Sequence, residues 1–518
     1  VSRSCALLAL TDAAIGGKKF AQGRSEWLSR EQVQCMPRKP IVTPAPKPPK
    51  SDVLIRADNG DVITFDETGL TLRLSDAVIA DLKFRLGLEG QAALDAADHL
   101  GDVDAWALHQ VGRWLRFTAR LEAGREPREY MKSAGGGDII AAASGPIYGI
   151  FSLGGARRAG FNAGPVKFRY HILASGDDIG AVGLEGTAEA ARNDRLQHLR
   201  HASRDALIAQ TLLGWRYDAL KALPLFVCRC ESDSTYDITE LTGGHGYRNF
   251  LIALDNLNTA AASLNKRAEV LAVSLDFGLE DQTNSAAELA NGLRALMAQI
   301  ERDMAQRNLH RPIFLMTAEA GTRQITTHPA IQAHWELAWL NSGHKLAISA
   351  PGYMFEQTEF GRPTQVSRVR MAEMDAHAII ALSNRQTWLC PLPVLAEAAD
   401  SLVRVTFQSS CDLVLDDTLG AGPTAGFAVE DAHGSIPIMD VEIAQDDPRS
   451  LLLTCKRAPS HVGAWLRYAS GAIVPSEDAF PANRGGLRDT WSSPSQASEV
   501  PLHRWALPAC LPIHPANT

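Results

Sequence analysis

Short blocks of acids, glycines and a single arginine interrupt the apolar runs of this chain: Ser175-Gly176-Asp177-Asp178, Gly243-Gly244-His245-Gly246-Tyr247, Gly278-Leu279-Glu280-Asp281 and Glu359-Phe360-Gly361-Arg362. Gathered at one point, the carboxylates of Asp177, Asp178, Glu280, Asp281 and Glu359 are the donor set of a hard cation such as calcium. An ion pair from Arg362 to Asp178 or Glu359 achieves neutralisation without a metal, and the expectation is that pairing, with no cofactor. The glycines at 243 and 244 give the backbone freedom that a loop presenting N–H groups to an oxyanion needs. A hydrolytic arrangement would use His245, His328 or His334 as base and Ser175 as nucleophile. Against it, His328 and His334 fall at or on a helix after Thr327, and Ser175 precedes its glycine. Tyr236, His245, Tyr247, Tyr353 and Phe355 lie near the blocks and are candidate ligand contacts, the rings able to stack on sugars or to pack inward. The cysteines, at 5, 35, 228, 230, 390, 411, 455 and 510, lack paired metal spacing and read as buried thiols. Cys228 and Cys230 share a strand face, which leaves a redox or metal role open.

The elements that must position these blocks alternate between 165 and 386. Apolar strands are expected at 167–174, 225–230, 270–277, 312–317 and 345–350, with helices at 205–213, 250–264, 286–304, 329–339 and 364–382. Five short apolar strands separated by helices indicate a parallel, doubly wound sheet, whose site lies at the carboxyl ends of the strands. From 387 to 518 the helical period disappears and short alternating runs suit an antiparallel β-sandwich. Upstream, 51–164 reads as a small α+β segment. It comprises a hairpin or meander over 53–74, a helix pair over 91–121 with Trp106, Trp114 and Phe117 inside, and a glycine-rich loop over 135–164.

With its β-rich tail, the five-strand region resembles the SGNH/GDSL hydrolase superfamily, particularly versions fused to a β-domain in bacteriophage and phage-like particle proteins. The likeness rests on block order and on Trp388-Leu389-Cys390-Pro391-Leu392, Asp417-Thr418, Gly426-Phe427 and Leu487-Arg488-Asp489. It implies a flavodoxin-like, SGNH-type sheet. It also implies a nucleophilic serine in a Gly-x-Ser after the first strand, a glycine after the second, a Gly-x-Asn-Asp after the third and an Asp-x-x-His after the fifth. On that correspondence Asp178 stands at the nucleophile, Gly244 at the glycine, Glu280 at the asparagine donor, Glu359 at the aspartate and Arg362 at the histidine. A carboxylate offers no hydroxyl, an anion repels an oxyanion, and a guanidinium stays protonated. The resemblance therefore implies a degenerate hydrolase.

The 518 residues, 45% hydrophobic, suffice for several cores. A formal net charge of -8 and the absence of a basic stripe argue against nucleic acid, and no run is long enough to span a membrane. Residues 1–50 end in Pro37-Arg38-Lys39-Pro40 and Pro44-Ala45-Pro46-Lys47-Pro48-Pro49, a stiff cationic arm suited to anchoring. Together these features suggest a non-catalytic fibre or spike component of a phage-like particle. It would be homo-oligomeric, attached to other particle proteins through the arm, located on the virion or an extracellular particle, and bind host surface glycan. The alternative is a carbohydrate O-acetyl esterase with a rearranged active site.

Overall fold

The computed structural model describes residues 94–516 apart from breaks at 95, 123–125, 156, 158–159, 178–189, 234–235, 281–284, 341–342, 360, 461 and 472–477, together with segments between 52 and 82. Residues 22–129 and residues 130–518 form separate compact units. The proline-rich arm, 1–50, lies outside the described residues.

In the smaller unit, Asp52–Arg56, Val62–Asp66 and Gly69–Arg73 form a three-stranded antiparallel meander, as expected around Asn59-Gly60. The helix pair expected over 91–121 is instead one short helix, Ala96–Leu100, followed by an antiparallel hairpin of Ala105–Val111 and Trp114–Ala119. The apolar residues there also fit a period of two: burial alternates along Trp114–Ala119, and Gly112 turns the chain at φ 58°. Phe117 is buried, whereas Trp106 is largely exposed.

The larger unit contains the expected α/β sheet, with its first strand elsewhere. Strand β1, Ile147–Gly154, lies in the stretch read as glycine-rich loop, and all its residues are buried. It is followed by β2 (Ile172–Ser175), β3 (Leu196–His198), α1 (Arg204–Asp218), β4 (Leu225–Ser232) and α2 (His245–Ser263). Then come β5 (Ala268–Asp276), α3 (Ala286–Gln306), β6 (Ile313–Ala318), α4 (Pro329–Trp339), β7 (Leu346–Pro351) and α5 (Gln365–Ser383). The seven-stranded sheet runs β3-β2-β4-β1-β5-β6-β7. Its parallel core, β4-β1-β5-β6-β7, has the flavodoxin-like order 2-1-3-4-5, with the switch point beside β1. The strand expected over 167–174 is only the short β2, which adds outside β4, with β3 antiparallel beyond it. The α/β domain therefore starts before residue 165, and Ser175-Gly176-Asp177-Asp178 follows a peripheral strand.

Burial on both faces explains why β1 is apolar without alternation. Its internal glycine has a packing cause: a Cβ on Gly149 would lie 2.3 Å from Phe151 Cε2 and 2.9 Å from Leu257 Cδ2 of α2.

The β-domain is built from β8 (Leu392–Ala399), β9 (Leu402–Gln408), β10 (Leu413–Leu415), β11 (Phe427–Asp431), β12 (Gly434–Ile436) and β13 (Ile438–Ile443). It continues with β14 (Ser450–Cys455), β15 (Trp465–Tyr468), β16 (Leu487–Ser493), β17 (Leu502–Trp505) and β18 (Ala509–Pro515). An eight-stranded sheet, β12-β11-β15-β18-β8-β9-β14-β13, accompanies a three-stranded one, β10-β16-β17. All pairs are antiparallel except β8 with β18. Buried polar contacts join this domain to the α/β sheet: Trp388 Nε1 donates to Ser349 O (3.0 Å), and Tyr353 Oη to Ala506 O (2.5 Å).

Candidate functional site

Flavodoxin-like sheets collect their functional groups where strand order reverses, which here is the carboxyl end of β1 and its neighbours. β1 ends at Gly154, and the sequence continues Gly155-Ala156-Arg157. With β1 established as the first core strand, the Gly-x-Ser position of the resemblance falls on Gly154-Gly155-Ala156. Ala156 replaces Asp178 as the counterpart of the nucleophile. Ala156 and Asp178 both lie outside the described residues, and neither side chain carries a hydroxyl.

Arg157 occupies the crevice. Its Nη1 donates to Glu319 Oε2 (2.9 Å), its Nε to Gly361 O (3.1 Å) and its backbone N–H to Glu280 Oε1 (3.3 Å). Glu319 follows β6 and turns Oε1 to the backbone N–H groups of Ala320 (3.0 Å) and Gly321 (2.8 Å). Glu280 approaches so closely that a Cβ on Gly155 would lie 2.4 Å from its Cγ. Gly155 is thus required for the carboxyl to reach the crevice.

The charges follow from this geometry. Burial alone would raise the Glu319 carboxyl, but Arg157 and the Gly321 N–H outweigh it and hold the group below its usual range. For Glu280 burial prevails over Arg157, and its pKa is raised. Burial disfavours the Arg157 charge, yet the two glutamates reverse that and raise its pKa. Two carboxyls pushed in opposite directions therefore share one fixed cation.

His334 is buried behind this cluster. Its Nδ1 accepts the Glu319 N–H (2.8 Å), so the proton sits on Nε2, which donates to Phe277 O (3.2 Å). Burial lowers its pKa. Both ring nitrogens are occupied, and His334 is a neutral strut. His328 caps α4, its Nδ1 accepting the Ala330 N–H at 3.2 Å. His245 is exposed at the start of α2, and neither it nor His334 bonds a serine or threonine hydroxyl among the described residues. Ser175 is buried on peripheral β2.

The glycine loop is also closed. Gly246 N–H donates to Asp233 Oδ2 (3.1 Å) and Gly244 N–H to Leu241 O (3.0 Å), so these donors serve the local fold. A Cβ on Gly244 would meet Asp233 Oδ2 at 2.4 Å.

The five carboxylates considered as a cation site are not brought together among the described residues. Asp177 pairs with buried Arg229 (3.4 Å), while Glu280 faces Arg157. Glu359 is exposed on a turn, and Asp178 and Asp281 lie outside the described residues. No group of His, Cys, Asp and Glu suited to a metal occurs among the described residues. Of the two expected partners of Arg362, Glu359 is not paired with it, because the turn between Thr358 and Arg362 leaves both side chains in solvent, and Asp178 lies outside the described residues. Arg157 supplies the guanidinium instead. Of the proposed aromatic contacts, Tyr247, Tyr353 and Phe355 are interior residues, Tyr247 donating to Asp303 Oδ2 at 2.5 Å. Tyr236 is half-buried, its ring beside Gly244. Cys228 and Cys230 are buried thiols, and burial pushes the Cys228 thiol up.

Fold comparison matches a carbohydrate acetylesterase from Xanthomonas citri at 13% identity and a TM-score of 0.47, covering 75% of this chain and 86% of that one. A protein from Arabidopsis thaliana matches at 15% identity and a TM-score of 0.31, over 45% of this chain and 97% of that one. No family model and no curated protein sequence matches the chain.

Sequence reasoning missed Arg157 and Glu319, which are 162 positions apart. Glu319 carried a usable signal, an acid directly following an apolar strand of a doubly wound sheet. Arg157 carried none while β1 was read as loop. A second buried network also escaped notice. Arg204 bonds Asp375 through Nε and Nη2 (2.7 and 2.9 Å), Asp276 through Nη1 (3.2 Å) and Thr317 Oγ1 through Nη2 (2.8 Å). It ties α1 to α5 and to the ends of β5 and β6.

Proposed function

We propose that this chain is a carbohydrate-recognising protein on an SGNH-type esterase scaffold, and that it does not hydrolyse esters through a serine. The observation that carries the reading is Arg157, bonded to Glu319 and facing Glu280 where a serine esterase holds its nucleophile and oxyanion donors. Acyl transfer needs a hydroxyl, a base within reach of it and N–H groups directed at the developing oxyanion. Here the sequence supplies alanine at 156, the buried histidine is used on both nitrogens, and the loop N–H groups are spent locally. Anchoring to a phage-like particle through residues 1–50 belongs to the same proposal, and particle association surviving deletion of those residues would remove it. The test of the main reading is acetate release from acetylated oligosaccharides and acetylated aryl esters, run beside a glycan array. The expected result is glycan capture with no acetate above the buffer rate.

A second reading, a carbohydrate O-acetyl esterase with a rearranged site, is favoured by the opposed shifts of Glu280 and Glu319. Two neighbouring carboxyls driven apart are a recurring acid and base arrangement. Glu280 would take a proton from water as that water adds to the acetyl carbonyl. The bond to the sugar oxygen then breaks as Glu280 returns that proton to it, and acetic acid, which ionises in solvent, and the free sugar hydroxyl leave. Acetate release abolished by Glu280→Gln would establish this reading and overturn the first.

A further inference from the structure

Away from the crevice, a cavity of about 450 Å³ lies where the start of α4 meets β15 and β18. Its size is that of a small-ligand site. Trp465 and Arg467, two positions apart on β15, present their side chains on the same, less buried face, with Leu466 and Tyr468 inward. Trp465 is 42% exposed, an indole left half in water beside a concavity. Arg467 is held in place: its Nε and Nη2 both bond Glu430 Oε1, at 2.8 and 2.6 Å. Its Nη1 lies on the side of Gly471 and Thr327, 3.6 Å from the place of a Gly471 Cβ, and makes no hydrogen bond among the described residues. Gly471 has φ +74°, so a side chain there would be strained and would also crowd Arg467.

Gln332 accepts the Cys510 N–H through Oε1 (3.1 Å), which leaves its amide N–H₂ as a donor in the lining. Ser470 adds a hydroxyl, and no carboxylate lines the cavity among the described residues. The N-terminal end of α4 contributes a partial positive charge at the same wall. An indole face, a guanidinium edge fixed by Glu430, an amide donor and a hydroxyl suit a ring that has an apolar face, several hydroxyls and one negative substituent.

We infer that this cavity is a carbohydrate-binding site for a pyranose bearing a carboxylate, a hexuronic acid unit, with Trp465 beneath the ring and Arg467 on the carboxylate. The inference rests on carbohydrate recognition as the chain's role and supplies its place and ligand class. The test uses the full chain, with tryptophan fluorescence and saturation-transfer NMR against glucuronic acid, glucose and acetate. Glucuronic acid is expected to bind, glucose at least 5-fold more weakly and acetate not at all. Trp465→Ala and Arg467→Gln should each weaken glucuronic acid more than 10-fold at an unchanged thermal midpoint, while Trp339→Ala, at another exposed tryptophan, should not. Unchanged affinity in folded Trp465→Ala and Arg467→Gln would overturn the site, and if glycan capture on an array persisted the role itself would stand. Acetate binding as tightly as glucuronic acid would overturn the sugar class. Absence of binding to every glycan would remove both the site and the role.

Discussion

At the scale of single residues, the crevice is a charge arrangement that stabilises itself. Arg157 and Glu319 are mostly buried, with side chains 24% and 10% exposed. Removing one partner of such a pair leaves a charge without compensation, whereas removing both costs far less. Arg157→Met should therefore destabilise the larger unit by about 3 kcal/mol or more, read as a lower urea midpoint, and the double variant Arg157→Met/Glu319→Gln should recover most of the loss. The pH dependence has a definite sign. Because the Glu319 carboxyl is held below its ordinary value of 4.5, the stability it adds is complete above that pH and is lost as pH falls through its folded value. Glu319→Gln should accordingly flatten the acid limb of the stability curve below pH 4.5. Glu280 has the opposite sign, since a raised pKa stabilises at low pH and ceases to as pH rises through the folded value. Glu280→Gln should thus gain more on the parent at pH 7 than at pH 4.

At the scale of elements, β1 decides where the site is. Its internal glycine allows Phe151 and Leu257 to pack where a side chain would stand. Phe151 is fully buried and has nowhere to move, so Gly149→Ala should cost about 1–3 kcal/mol, measured by thermal or urea unfolding. The glycines that make β1 work also hid it in the sequence: Gly145, Gly149, Gly154 and Gly155 resemble a linker, although the residues between them are apolar. Strands β4 to β7 and helices α1 to α5 were legible because each long apolar period has one reading and the alternation of types fixes a parallel sheet. The hairpin at 105–119 was not, since Leu108, Val111, Leu115 and Thr118 follow a helical spacing, whereas the buried face of its second strand is Leu115, Phe117 and Ala119. Misplacing one strand moved the residue that the resemblance sets against a nucleophile from Ala156 to Asp178, while the blocks after β4, β5 and β7 kept their places. Glu280 was legible because it follows a strand recognised as such. Its partnership with Arg157 joins distant parts of the chain, which no local pattern encodes.

At the scale of the whole molecule, the α/β sheet and the β-domain share one continuous core. Their seam is lined by His377, Trp388 and Trp491, with Trp388 and Trp491 at a centroid distance of 5.0 Å and the Arg504 guanidinium over both. Residues 130–518 should consequently unfold in one calorimetric transition, and a chain ending at 386, which exposes the seam, should be insoluble. The cavity at Trp465 also lies between α4 and the β-domain, a common location for ligand sites, while the crevice at the end of β1 is filled by its own ions. Whether that crevice retains an activated hydroxyl is measured most directly by intact mass after incubating the folded chain with a fluorophosphonate, which phosphonylates activated serines and expels fluoride. With Arg157 and Glu319 where the hydroxyl and its donors would be, the mass should be unchanged, and an adduct mapped to a serine at the ends of β1, β4, β5 or β7 would contradict the closed site.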